Sequence, residues 1–283
     1  AASGAALAQS DASPVLRQDT KACLASLRPN APANKVSLED FDRFTGNAQL
    51  LETTVASAKG QPEGRESWWD YIAKMVDEQR VADGARILLE LQPQLGAIGQ
   101  SYQVDPEPLV AIFGIETNYG TQLGKTDVLN AWLTRACTET NPLWKKNVYA
   151  SIRLLSEGAV QPDKFVGSWS GAFGMTQFIP TSFYELAADG DGDGMIDLYG
   201  SLPDALASTA SHLRKRRAKW MHNVPAVIEV RLPQALAAGI PADPGTEFVG
   251  SSDRRSLGQW AQAGVARADG KALPFTDAAQ VEA

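Results

Sequence analysis

Absences narrow the function classes first. No stretch approaches the roughly 18 uninterrupted apolar residues that a membrane helix needs. Basic charge is short as well. Against 33 Asp and Glu stand 26 Lys and Arg, a formal charge of −7, and a net acidic chain is a poor partner for a phosphate backbone. Two histidines (His212, His222) and two cysteines (Cys23, Cys137), widely spaced, make no zinc pattern. Phosphate and nucleophile motifs are missing too. "GTQLGKT" (120–126) is one residue short of a P-loop, has Tyr119 where the first glycine belongs, and follows a helical pattern. "GSWSG" puts Trp169 where an elbow serine must sit. Nucleophilic hydrolysis therefore has no candidate group.

What is there suffices for a real core. The chain has 283 residues, 44% of them apolar, which allows one large domain or two ordinary ones. Residues 1–14 read as a flexible remnant of an export segment, with Ala6-Leu7-Ala8 resembling the end of a signal peptide. In a cytosolic protein Cys23 and Cys137 would be two buried thiols; in an exported one they could pair, closing a loop worth roughly 4–5 kcal/mol in the chain-entropy model. From Val15 to about 235 the signals are mainly helical. Ser37 starts one helix with Asp40 three residues later, an approximate capping box. "RESWWDYIAKMVDEQRVADGARILLELQPQLGAIGQSY" carries long 3.6-residue stripes with few breakers. Asp105–Pro106 starts a further helix that Gly120 stops, and "LWKKNVYASIRLLSEG" ends at Gly158. "HLRKRRAKW" (212–220) reads as a solvated helix face. The best strand is "AVIEVRL" (226–232), and 236–283 reads as an irregular closing segment apart from "SLGQWAQAGV".

Three stretches could carry chemistry. In "VDPEPLVAIFGIETNYG" (104–120), Leu109, Ile112 and Phe113 mark an apolar stripe, and Glu116 takes its next position. A carboxyl on an apolar face loses solvation, keeps its proton to higher pH, and could protonate a departing glycosidic oxygen. A glutamate at the stripe's rim, satisfied by a neighbouring donor, is the commoner use of such a position. The second stretch, "SGAFGMTQF", interleaves Gly171 and Gly174 with one amide, Gln177, while Trp169, Phe173, Phe178 and Tyr184 offer flat surfaces for sugar faces. In isolation it reads as an ordinary Gly-rich loop. Third, Asp189, Asp191 and Asp193 occupy positions 1, 3 and 5 of a calcium loop, with Gly194 at 6 and the Met195 carbonyl at 7. Gly200 fails at position 12, and Asp204 is the next carboxylate along.

In this order, "GIETNYG", "SWSGAFGMTQFIPTSF" and "DGDGDGMIDLYGSLPDALAS" closely resemble the membrane-bound lytic transglycosylase B family of bacterial murein-cleaving enzymes, over roughly residues 20–232. The resemblance implies a mainly α, lysozyme-like catalytic domain (15–235) with a little β structure and an EF-hand-like calcium loop. It implies cleavage of the β-1,4 bond between N-acetylmuramic acid and N-acetylglucosamine, with a 1,6-anhydro end formed without water. It assigns Glu116 as acid and base, Ser168, Gly174, Met175, Gln177, Tyr119 and Tyr184 as substrate-binding, and Asp189, Asp191, Asp193, Met195 and Asp204 as holders of structural Ca²⁺. No organic cofactor and no nucleic acid are implied. The partners are peptidoglycan strands and possible wall-synthesis or division proteins, met by a monomer in the periplasm or at the outer membrane. Three departures stand out. His212 takes the place of an aligned tyrosine, Asn141 and Pro142 that of a basic pair before Trp144, and the family's closing aromatic stretch has no counterpart before "AAQVEA", which reads as truncation or divergence. A hydrolytic muramidase on the same scaffold and a non-catalytic murein-binding protein are the competing readings.

Overall fold

A computed structural model describes residues 14–60, 68–215, 220–225, 227–238 and 255–276. In chain order the helices are α1 (Pro14–Leu27), α2 (Leu38–Thr45), α3 (Glu52–Lys59), α4 (Trp68–Met75), α5 (Glu78–Glu90), α6 (Gln92–Tyr102), α7 (Pro106–Thr117), α8 (Val128–Thr138), α9 (Pro142–Ser156), α10 (Pro180–Leu186), α11 (Leu202–Lys215), α12 (Gln234–Ala237) and α13 (Leu257–Gln262). The strands are two residues each: β1 (Thr126–Asp127), β2 (Val166–Gly167), β3 (Val230–Arg231) and β4 (Ala266–Arg267). The mainly α reading holds. The long stripes after Arg65 resolve into α4, α5 and α6, broken near Val76 and Leu91. Of the expected strand at 226–232 only Val230–Arg231 is extended, and Ala226 lies outside the described residues. So do the export remnant at 1–13 and Arg216–Lys219 of the basic run.

Two units emerge, one within Ala1–Gln61 and Glu78–His222, the other within Pro62–Asp77 and Asn223–Ala283. Composition suggests a division near residue 235; contacts divide the chain after His222 and give α4 to the second unit. The second unit carries α12, the antiparallel pair β3–β4, and α13, whose start is a full capping box between Ser256 and Gln259.

In the first unit α8 and α9 pack together around Trp132, Leu133, Val148 and Ile152, joined by Leu27, Phe41, Phe165 and Phe173. A second cluster, with Leu95, Val104, Leu109, Phe113 and Leu206, sits between α6, α7 and α11. Cys23 of α1 and Cys137 of α8 form a disulfide, Cα–Cα 5.7 Å, 114 residues apart in sequence. Local signals explain the helix ends. The Ser37 hydroxyl accepts from the Asp40 N–H at 2.9 Å, and Asn141 caps α9 ahead of Pro142. Asp105 stands at the start of α7, but its carboxylate is drawn away to the Trp220 indole N–H at 2.6 Å and faces His222 at 3.7 Å.

Candidate active site

The helix α7 buries Leu109, Val110, Phe113, Gly114 and Thr117. Glu116 is therefore not in the core stripe, as periodicity suggests; it lies on the outward side beside Ile115, itself 39% exposed, and half-buried Ile112. The helix is apolar on nearly every side because one face fills the core and the other forms open, apolar surface. The Glu116 side chain is exposed, and partial desolvation of its carboxyl raises its pKa above the ordinary glutamate value. Among the described residues no hydrogen bond or ion pair occupies this carboxyl.

The turn after Glu116 is strained and pinned. Asn118, Tyr119 and Gly120 are all left-handed, at φ 48°, 56° and 81°, a conformation costly for a bulky tyrosine. Tyr119 is held there by its hydroxyl, which donates to the Arg80 carbonyl at 2.7 Å, and by an edge contact on Phe113. Gly84 and Gly114 make room for its ring: a Cβ on Gly114 would sit 2.6 Å from the ring carbon that bears the hydroxyl. Gly114→Ala should therefore unseat Tyr119 and lower stability by about 1–3 kcal/mol, the usual cost of overpacking, measurable by urea unfolding. An unchanged midpoint would refute this account of the turn. Tyr119 also lines a cavity of about 330 Å³ with Ile87, Leu91 and Phe113, under Arg86 and Glu90; Glu116, Ser168 and Gln177 do not line it.

Opposite α7's end, a short backbone meander carries the Gly-rich stretch. β1 pairs antiparallel with β2 (Thr126 to Gly167), Gly167 bridges Phe173, and Phe173 bridges Phe178. Phe173 and Phe178 are thus buried, not sugar-facing: directly opposed across an antiparallel bridge, the two side chains share a face, and that face is turned into the core. Between them the chain turns at Gly174 (φ 77°), Met175 and Gln177 (φ 51°), and the Gln177 side-chain amide donates to the Gly174 carbonyl at 3.1 Å. Gly174 could not carry a side chain, since its Cβ would come 2.8 Å from Leu198. The Thr117 hydroxyl donates to the Met175 carbonyl at 2.6 Å, bringing the ends of α7 and the Gln177 turn together. Ser168 lies in the adjoining turn, its hydroxyl accepting from the Ala172 N–H at 3.2 Å and 3.0 Å from that of Ser170. Trp169 is half-buried beside Arg135, whose guanidinium stacks 3.8 Å from the Trp144 ring. Tyr184 is engaged elsewhere: its hydroxyl donates to Glu157 at 2.7 Å beneath Arg153, and burial pushes its pKa up. Sequence reading misses Thr117, although Leu109, Phe113 and Thr117 fall at i, i+4 and i+8, a polar group at a core position.

The acidic loop closes on Asp204. This side chain is 1% exposed, and its oxygens accept from the Gly190 N–H at 2.7 Å and the Asp197 N–H at 2.8 Å. Asp189 accepts from Gly192 and Gly194, bonds that hold its carboxyl below the usual range. Oxygens of Asp189, Asp191 and Asp204 lie within 4.8 Å of one another; Asp193 stands outside that cluster, and the Met195 N–H donates to it at 2.8 Å. Oxygens sharing one Ca²⁺ can be at most about 5 Å apart, twice the metal–oxygen distance, so the donor set fits a hard cation. No Lys or Arg among the described residues ion-pairs with any of the three.

A model of the transglycosylase SLT domain family matches residues 19–283. The membrane-bound lytic murein transglycosylase B of Escherichia coli (strain K12) is 26% identical over 226 residues, 77% of this chain and 60% of the relative. The crystal structure of SltB3 from Pseudomonas aeruginosa, in complex with NAG-anhNAM-pentapeptide, superposes with a TM-score of 0.78 at 34% identity, covering 91% of this chain and 66% of that one. The Escherichia coli lytic transglycosylase Slt35, solved in complex with calcium, shares the fold at a TM-score of 0.69 and 23% identity, covering 88% of this chain and 75% of that one. The chain thus spans about three fifths to two thirds of the length of the first two relatives.

Proposed function

The chain belongs to the transglycosylase SLT domain family, and from that premise we propose that it is a lytic transglycosylase of peptidoglycan, cleaving between N-acetylmuramic acid and N-acetylglucosamine, with its chemistry in the first unit. One observation carries this reading: a partly desolvated carboxyl at the end of α7, without a polar partner among the described residues, joined through Thr117 and Met175 to the turn that presents Gln177. Glu116 gives its proton to the leaving glycosidic oxygen as the C1–O bond breaks. The muramic acetamido oxygen bonds to C1, and the positive charge passes to the acetamido group as a whole, shared between its oxygen, carbon and nitrogen. Glu116, now a carboxylate, takes the proton of the C6 hydroxyl, whose oxygen displaces the acetamido group and closes the 1,6-anhydro ring. Protons balance, and no water is consumed. Gln177 and Ser168 supply polar contacts to the sugar; Tyr119 and Tyr184 act by holding α7's end and α10 in place. Incubated with purified sacculi, the protein should release soluble muropeptides. Binding without release would leave only a murein-binding role.

The carboxylates of Asp189, Asp191 and Asp204 would hold a structural Ca²⁺, which supplies positive charge to a loop otherwise built of like charges. After chelator treatment, calcium at about 100 times its Kd should restore roughly 2.7 kcal/mol, or a melting shift of about 5–10 °C. In Asp204→Ala the shift should vanish. An equal calcium response in the variant would remove Asp204 from the site. The disulfide and the family's wall substrate support export to an oxidising compartment outside the cytoplasm.

A further inference from the structure

Besides a longer bond to the Phe113 carbonyl one turn back at 3.3 Å, the Thr117 hydroxyl, next in the chain to Glu116, makes one bond to the opposing turn and one within the end of its own helix. It donates to the Met175 carbonyl at 2.6 Å, across 58 residues of sequence, and accepts from the Gly120 N–H at 3.1 Å. Thr117 is 1% exposed, so its hydroxyl is out of reach of solvent and its place is taken up by these backbone bonds. The Met175 peptide is gripped from both sides, because its N–H donates to the Leu198 carbonyl at 2.9 Å. Next along that turn stand Thr176 and Gln177, the latter left-handed at φ 51°. A turn containing such a residue holds one position only where its surroundings over-determine it.

We propose that Thr117 is a positioning residue for the reaction: through the Met175 carbonyl it fixes the distance between the Glu116 carboxyl and the Gln177 turn, and through Gly120 it fixes the left-handed turn that ends α7. Its role rests on the transglycosylase reading but concerns geometry rather than chemistry, since the hydroxyl is saturated by backbone and never touches substrate. Loss of the clamp lets acid and sugar drift apart, and misplacement by about 1 Å costs on the order of 100-fold in rate.

Two variants in the full chain test it. Thr117→Val keeps the shape and deletes the hydroxyl; Thr117→Ser keeps the hydroxyl. Turnover of sacculi by Thr117→Val should fall about 10- to 100-fold with KM changed far less, and Thr117→Ser should recover most of it. Hydrogen exchange gives a readout independent of activity. Amides of Gly120 and of 175–178 should exchange faster in Thr117→Val, while those within α9 stay protected, and Thr117→Ser should match the parent. Faster exchange in both variants, or in neither, would overturn the clamp, as would a Thr117→Ser enzyme no better than Thr117→Val. If the parent digests nothing, the transglycosylase reading fails while exchange still decides the clamp.

Discussion

Replacing Glu116 by Gln should stop the digestion of purified sacculi while leaving glycan binding in place. Gln keeps the shape and a hydrogen-bond donor but cannot give up a proton or take one back, and both halves of the proposed reaction need that exchange. General acid–base catalysis contributes about 10²–10⁴-fold, and here one group serves twice, so a loss at or beyond 10³-fold is expected. The pH profile should change with it. Partial desolvation raises the Glu116 pKa, so the acid stays protonated above the ordinary glutamate range, and activity should fall as pH rises through the raised value. The same shift sets the sign of a stability effect. Below the unfolded-state pKa the carboxyl is neutral in both states and costs nothing. As pH rises through the folded-state value the native protein must bear an incompletely hydrated charge and loses stability. Glu116→Gln should therefore melt at or above the parent at neutral pH, with no such difference in acid. A variant that keeps even a tenth of parental turnover would shift the acid role to another group.

Breaking the Cys23–Cys137 bond should have the largest effect on stability. It closes a loop of 114 residues in sequence and joins α1 to α8, the helix whose Trp132 and Leu133 anchor the core. Chain entropy alone assigns such a loop about 4–5 kcal/mol, near the top of the usual range. For a domain of this size that corresponds to a melting temperature lower by about 10 °C or more in the double variant Cys23→Ala/Cys137→Ala. Activity at low temperature should survive, because the disulfide joins α1 to α8 and neither helix carries Glu116 or the Gln177 turn. Equal urea midpoints with and without reductant would show that α1 is held by packing alone.

The local signals were legible where chemistry is local. Ser37 and Gly158 mark helix ends because caps and left-handed turns involve residues only a few positions apart, and Pro106 marks the start of α7 although the Asp105 carboxylate makes no cap bond. The failure of Gly200 at the twelfth loop position points to Asp204 as the next carboxylate, but its bond to the Gly190 N–H appears only in the fold. Other features depend on long-range pairing. The side of α7 that faces the core could not be read, because Ile112 and Ile115 are as apolar as Leu109 and Phe113, and only packing against α5, α6 and α11 chooses between them. Phe173 and Phe178 read as sugar platforms in the sequence, and the Gly167–Phe173–Phe178 bridges turn them inward. Thr117 reads as one more polar residue near a helix end; its partner, Met175, is fixed only by the fold.

The most direct measurement is mass spectrometry of sacculus digests prepared in ¹⁸O-labelled water. If one carboxyl works with the sugar's own acetamido and C6 hydroxyl groups, the muramic ends will be one water lighter than reducing ends and free of the label. Muramic ends that carry labelled oxygen at C1 would contradict it, and would make the chain a hydrolase with a second catalytic group still to be found.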